Sequence, residues 1–285
     1  MPYLVPTSIS EALAVLRDRQ PLLVAGCTDV LPGQRQGARF AEILDVSRLA
    51  ELRGISDGPQ GWRIGAATTW AEIAATSLPP AFDALRQAAC QVGAIQIQNA
   101  GTIAGNICNA SPAADGVPPL LALRAEVEIA SLTGRRRVTL EDFIIGPRRT
   151  IRAPDELVVA LHFPPALGGE GGAFVKLGTR SSLVISIAMV AAVVRIAEGR
   201  IAEARVSVGA CSPVPRRLSE WEADLVGPKL DEVDGRKPDL SHLSVLSPID
   251  DLRASGAYRI EAVRELCRRA LTRAVDSAAG GADAG

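Results

Sequence analysis

Residues 91–123, QVGAIQIQNAGTIAGNICNASPAADGVPPLLAL, decide how this chain is read. Gly101, Gly105 and Asn106 stand there among Asn99, Thr102, Asn109 and Ser111, and Pro112, Pro118 and Pro119 close the segment. An ordinary surface turn needs one or two Gly or Asn residues. Here about twenty small, hydrogen-bonding residues are bracketed by apolar runs, which predicts a long ordered loop with a binding role, too apolar for disorder. Such a loop suits a large polar ligand. Small residues let the main chain approach a pyrophosphate or a ring edge, and Thr, Asn and Ser supply short donors. Residues 22–33, LLVAGCTDVLPG, form the only similar stretch, an apolar strand running into Gly26, Thr28 and Asp29. Two such loops predict a clamp on one ligand from two sides; for each loop alone, a tight turn between packed strands is the alternative.

The two loops together carry a resemblance. Ala25-Gly26-Cys27-Thr28-Asp29, then Gln96-Ile97-Gln98-Asn99, Thr102-Ile103-Ala104-Gly105-Asn106 and Asn109-Ala110-Ser111-Pro112-Ala113-Ala114-Asp115 follow in order. With Phe174-Val175-Lys176-Leu177-Gly178-Thr179-Arg180 and the apolar run 183–194, they resemble the FAD-binding subunit of the molybdenum hydroxylases, the medium-subunit family of xanthine dehydrogenase and carbon monoxide dehydrogenase. The resemblance covers nearly the whole chain. It departs from the family pattern at Cys27 and Ala104, where a second glycine is usual, and at Gln98, where an arginine is common. A side chain at Cys27 or Ala104 crowds a pyrophosphate if the backbone there needs a positive φ.

The resemblance implies an α+β flavoprotein. Its FAD-binding domain, of the p-cresol methylhydroxylase type, is expected over residues 1–168 in two α/β lobes of about 1–55 and 56–168. A small C-terminal antiparallel sheet-plus-helices domain is expected over 169–277, then a flexible tail over 278–285. FAD contacts carry over to Leu23, Val24, Ala25, Gly26, Cys27, Thr28, Asp29 and Val30, to Ile97, to Thr102, Ile103, Ala104, Gly105 and Asn106, and to Asp115, Leu157 and Lys176. The pyrophosphate is expected mainly on backbone amides of the two loops. Asp115 is suited to accept from a sugar or ribityl hydroxyl, or in the alternative caps the helical segment after Pro118. Lys176 is expected beside the flavin, where a cation stabilises negative charge on the reduced ring, or else is a surface residue at a strand end.

The implied partners are a large molybdopterin subunit, which oxidises substrate with water, and a small subunit with two [2Fe-2S] clusters, in a dimer of heterotrimers. Electrons would pass from the clusters to this FAD and on to NAD+, oxygen or another acceptor. Purines, methylxanthines, N-heteroaromatics, aldehydes and carbon monoxide all stay open as substrates of such a complex. Two other readings remain: a self-contained FAD oxidase, and a non-catalytic module that has lost FAD.

Composition narrows the classes further. The 285 residues suffice for two domains, and 31 Lys plus Arg against 32 Asp plus Glu give no general pull toward nucleic acid or membrane. Aromatic residues make up 4%, so no stacking platform for bases is evident. Five cysteines at 27, 90, 108, 211 and 267 show no CxxC pair and no metal-ligand spacing, which suits a reducing compartment and a chain without its own metal. The N-terminus lacks the basic-then-apolar pattern of a secretory signal, and the apolar run 183–194 is too short for a bilayer, so the cytoplasm is expected. GxGxxG after a strand and GxxxxGK are both missing, and His162 and His242 have no Ser, Cys or Asp partner in local sequence. A Rossmann site, a P-loop and a hydrolase triad are therefore unsupported, and no catalytic acid, base or nucleophile is expected.

Locally, Ser8 with Glu11 and Thr69 with Glu72 have capping-box spacing and predict helix starts. Trp70 is expected in packing rather than on the flavin. Helices are further expected over 80–92, 120–125, 213–230 and 259–275, and strands over 22–25, 43–46, 62–65, 126–132, 157–163, 173–179, 187–196 and 201–209. Residues 134–137, GRRR, read as a turn. With Arg148, Arg149 and Arg152 they form the only basic concentration, a solvated face or a dock for an acidic partner.

Overall fold

The computed structural model describes residues 2–30, 42–181, 183–233 and 235–282. The first expected loop is thus described as far as Val30, and its residues 31–33 lie outside. The chain opens with β1 (Tyr3–Leu4), α1 (Ile9–Arg19), β2 (Leu22–Val24) and β3 (Ile43–Asp45), with β1 and β2 both pairing parallel to β3. Ser8 caps α1 by accepting from Glu11 N, while the Glu11 carboxylate turns back to Thr7 N and Oγ1 and so does not close a box on Ser8. Ile9, Ala12, Leu13 and Leu16 form the buried face of α1.

After β4 (Ile55–Gly58) and β5 (Gly61–Gly65) come α2 (Trp70–Ala75), α3 (Asp83–Ala89), α4 (Ile95–Ala100), α5 (Ile103–Asn109) and α6 (Val117–Ala122). Then follow β6 (Glu126–Ser131), β7 (Gly134–Thr139), α7 (Leu140–Phe143), β8 (Ile144–Gly146), β9 (Arg149–Thr150) and β10 (Leu157–Phe163). Five of these strands form an antiparallel sheet in the order β4-β5-β10-β6-β7. Thr69 and Glu72 make both bonds of a capping box at the start of α2.

Residues 91–123 are not one long loop. They are mostly helical, as α4, α5 and α6. Thr102 accepts from Gly105 N at 3.1 Å to start α5, which then buries Ile103, Ala104 and Ile107. Helices of six or seven residues span less than two full turns, so their periodicity is hard to read, and Gly, Asn and Thr argue locally against helix. Tertiary burial supplies what propensity lacks. The expected helix over 80–92 is shorter too, a 3-10 turn at Pro80–Phe82 followed by α3. The arginines of 134–137 lie in edge strand β7 rather than in a turn, with Arg135 on Glu128 and Arg136 forked onto Glu156.

The chain ends with β11 (Glu170–Leu177), β12 (Ala188–Ala197), β13 (Arg200–Gly209), β14 (Arg216–Arg217), α8 (Ser219–Leu225), α9 (Leu230–Val233) and α10 (Gly256–Ala282). The four strands pair antiparallel in that order, and Glu198 and Gly199 close the β12–β13 hairpin at φ 52° and 69°. One face of this sheet, with Ala173, Val175, Val190, Ala192 and Val194, packs in a core with Val263, Cys267 and Ala270 of α10. Phe174, Met189, Ala191 and Val193 alternate with them and join the larger N-terminal core. The sheet is therefore buried on both sides.

The expected helix over 213–230 is instead β14 and α8, with a break before α9 at Gly227 and Pro228. The tail expected over 278–285 is helical as far as Ala282, and Ala278 is buried. A Cβ on Gly171 would lie 2.1 Å from Ala278 N, so a bare backbone on β11 lets this last stretch of α10 dock. Among the described residues no helix is long and apolar enough to cross a membrane.

Candidate functional site

A cleft of about 460 Å³ opens where the loop after β2, the ends of α4 and α5, and the start of β10 converge. Leu23 and Val24 of β2 line it, followed by Ala25, Gly26, Cys27, Thr28, Asp29 and Val30 of the loop. Gly26 makes this wall possible. A Cβ there would stand 1.9 Å from the carbonyl oxygen of Ala100, so the loop can lie against the end of α4 only as bare backbone. Cys27 sits at φ 57°, in the left-handed region where a side chain costs about 1–2 kcal/mol. This is one of the positions where a glycine is usual. The other, Ala104, lies inside right-handed α5 and carries no such cost.

The backbone N–H groups of Gly26, Cys27, Thr28 and Asp29 donate to no described residue. Four successive donors without a described partner on a cleft wall suit an anion. The second stretch differs from expectation here. Thr102, Ala104, Gly105 and Asn106 line the cleft, but the amides of the first turn of α5 already have partners. Ile103 N donates to Thr68 O, Ala104 N to Ala66 O, Gly105 N to Thr102 Oγ1 and Asn106 N to Thr102 O. What this stretch has left is the side-chain amide of Asn106, whose Oδ1 is buried without a partner.

Ile97 of α4 and Leu157 of β10 complete the expected residues in the lining. Ile103, Asp115 and Lys176 are not among the lining residues. Ile103 is wholly buried in the core. Lys176 Nζ lies 2.6 Å from Asp115 Oδ2, and Ser186 Oγ donates to Asp115 Oδ1 at 2.6 Å. Burial raises the Asp115 pKa, and the Lys176 ammonium and the two hydrogen bonds draw it back. Lys176 also donates to Gln91 O at 3.3 Å, next to Val92 of the lining, so the pair stands behind that end of the cleft. Neither alternative role holds: Asp115 makes no cap on α6, and Lys176 is buried rather than at the surface.

The inner walls escaped the sequence reading. Val46, Leu52, Ala66, Ala67 and Val158 supply apolar floor, and Trp70, 1% exposed, is at once a packing residue and part of the lining. Their only signal was apolar character, which core residues share. Arg152 departs from the expected solvated basic face: it is half-buried and lines the cleft with Cys108 and Asn109. At the rim Arg148 Nη1 donates to Asp29 Oδ2 at 2.6 Å and to Asn109 Oδ1, joining the two sides. Burial raises the Cys27 thiol and pushes Cys108 up to about 11, so both stay neutral near pH 7.

These features fit a dinucleotide. The four free amides suit a pyrophosphate, the apolar floor suits a ring, and the cradle at Gly26 would be filled by any larger residue. Residues 1–166 match the family described as FAD binding domain in molybdopterin dehydrogenase, and residues 173–274 match the CO dehydrogenase flavoprotein C-terminal domain. The xanthine dehydrogenase FAD-binding subunit of Escherichia coli O157:H7 is 34% identical, over 96% of this chain and 95% of that protein. The carbon monoxide dehydrogenase medium chain of Hydrogenophaga pseudoflava is 27% identical, over 95% and 96%. A solved structure of carbon monoxide dehydrogenase from the same organism superposes at TM-score 0.86 with 27% identity, covering 97% of this chain and 98% of its own. With both parts of the chain matched, it belongs to the FAD-binding medium subunits of the xanthine dehydrogenase and carbon monoxide dehydrogenase family, and FAD is its cofactor.

Proposed function

We propose that this chain is the electron-transfer subunit of a cytoplasmic molybdopterin-dependent dehydrogenase. It works with a large molybdopterin subunit and a small subunit carrying two [2Fe-2S] clusters, in a dimer of heterotrimers, and delivers electrons to NAD+, oxygen or another acceptor. One observation carries this reading: the cleft is built to hold and not to transform. Its described lining has free amides and apolar floor but no histidine, and its one carboxylate, Asp29, is paired with Arg148. When bound, FAD supplies the redox chemistry, taking up and releasing electrons one or two at a time.

The chain's own residues bind and orient. Gly26 to Asp29 offer their amides to negative charge, Asn106 adds a side-chain amide, and Trp70, Leu52 and Val158 keep water from the floor. The Lys176 ammonium, paired with Asp115 and bonded to Gln91 O, holds the wall behind the Val92 end.

The test is purification from the native host with partners attached, followed by a visible spectrum and identification of the released cofactor. FAD with iron–sulfur absorbance and two co-purifying chains is the expected result. Flavin on a catalytically active monomer would instead identify a self-contained oxidase, and a colourless chain that takes up no FAD would identify a module without the cofactor.

A further inference from the structure

Arg152 is the one cation among the described residues lining the cleft, and nothing in the family motifs points to it. Its guanidinium is tied to its own turn. Nη1 donates to Ala153 O at 2.9 Å and to Glu156 O at 2.7 Å, and Glu156 N closes the same turn onto Ala153 O. One nitrogen therefore fixes the whole guanidinium plane, while Nε and Nη2 donate to no described residue and are not buried orphans. A guanidinium held this way loses little freedom when it meets a ligand.

The surroundings say which ligand group it meets. Leu52, Ala66, Ala67, Leu157 and Val158 line the same cleft, and each is less than 5% exposed. An apolar floor with a fixed planar cation suits a flat aromatic ring with acceptors at its edge, which the guanidinium can bond at the edge or cover on the face. The free amides that suit the pyrophosphate lie on another element, the loop after β2, so the diphosphate does not need Arg152. A flavin ring that exchanges electrons with a partner must be reachable from outside, which leaves this buried floor to the purine.

Resting on the electron-transfer reading above, we propose that Arg152 anchors the adenine ring of FAD and makes the chain select the dinucleotide over shorter flavins. The residue positions the cofactor and takes no part in electron transfer.

The experiment is equilibrium binding of FAD, FMN and riboflavin 5′-pyrophosphate to the flavin-stripped full chain, followed by quenching of flavin fluorescence. Arg152→Met is expected to weaken FAD about tenfold and to leave both shorter flavins unchanged. Arg152→Lys keeps a donor for the two carbonyls, and so the turn, but lacks the planar fork; it is expected to lose most of the same preference with an unchanged apo melting curve. Equal losses for FAD and riboflavin 5′-pyrophosphate would move Arg152 to the diphosphate and overturn the assignment, as would unchanged FAD binding in both variants. A wild-type chain that takes up no FAD would defeat the electron-transfer reading itself, an outcome distinct from either.

Discussion

Replacing Lys176 with Met removes one half of the ion pair that ties β11 to the segment between α5 and α6. The two side chains are only 8% and 10% exposed, and among the described residues Ser186 is the remaining side-chain partner of the Asp115 carboxylate. Met keeps the apolar stem, so the loss falls on the charge. A buried carboxylate without its cation either stays ionised, at about 3–5 kcal/mol, or takes up a proton. At about 1.4 kcal/mol per pH unit, protonating a carboxyl with an ordinary pKa of 3.8 costs about 4.4 kcal/mol at pH 7 and about 1.6 kcal/mol at pH 5. The folded pKa of Asp115, already raised by burial, rises further in the variant. Its contribution is then fully favourable below the unfolded value and is lost as pH rises through the folded one. Lys176→Met should therefore lose about 3–4 kcal/mol at pH 7 and about 1–2 kcal/mol at pH 5. Urea unfolding of the flavin-free chain, read by tryptophan fluorescence at both pH values, measures this. Adding Asp115→Asn should recover most of the loss at pH 7. An equal cost at the two pH values, or a double variant no better than the single, would refute the reasoning.

Gly26→Ala should destabilise by about 1–3 kcal/mol and impair FAD uptake, because its Cβ meets Ala100 O, whereas Gly168→Ala, with nothing within 4 Å, should be nearly neutral in the same thermal melts. Cys27→Gly should stabilise the flavin-free chain by about 1 kcal/mol by relieving φ 57°, without weakening FAD; a lower melting temperature would refute the strain argument. Burial pushes the Cys211 thiol from 9.0 up to about 12, so its contribution is fully present below pH 9 and is lost as pH rises toward 12. Between pH 9 and 11 wild-type unfolding free energy should fall faster than that of Cys211→Ala, by about 1.4 kcal/mol per pH unit, and parallel profiles in urea titrations would refute this.

Much of the architecture was legible because its signals are local. Ser8 and Thr69 mark helix starts through bonds three residues long, the Glu198-Gly199 turn marks its hairpin, and the run 157–163 emerges as β10 with the expected bounds. The order of the small-residue motifs carried the family and the cofactor, and all the expected contacts except Ile103, Asp115 and Lys176 gather on one cleft. The helicity of 91–123 was hidden, since helices of six or seven residues leave little periodicity to read and owe their stability to burial. So was the doubling of the C-terminal sheet, whose strands read as apolar throughout without showing that alternate residues serve two different cores.

The sequence alone determined the chemistry that its two small-residue stretches offer: backbone amides and short Thr and Asn side chains. Tertiary structure decided which of those groups remain available. It occupied the first-turn amides of α5, left those of Gly26 to Asp29 without a partner among the described residues, drew Asp115 to Lys176 and turned Arg152 inward. A hydrogen bond or ion pair between residues far apart in the chain has no local signature, because its partner is chosen by packing.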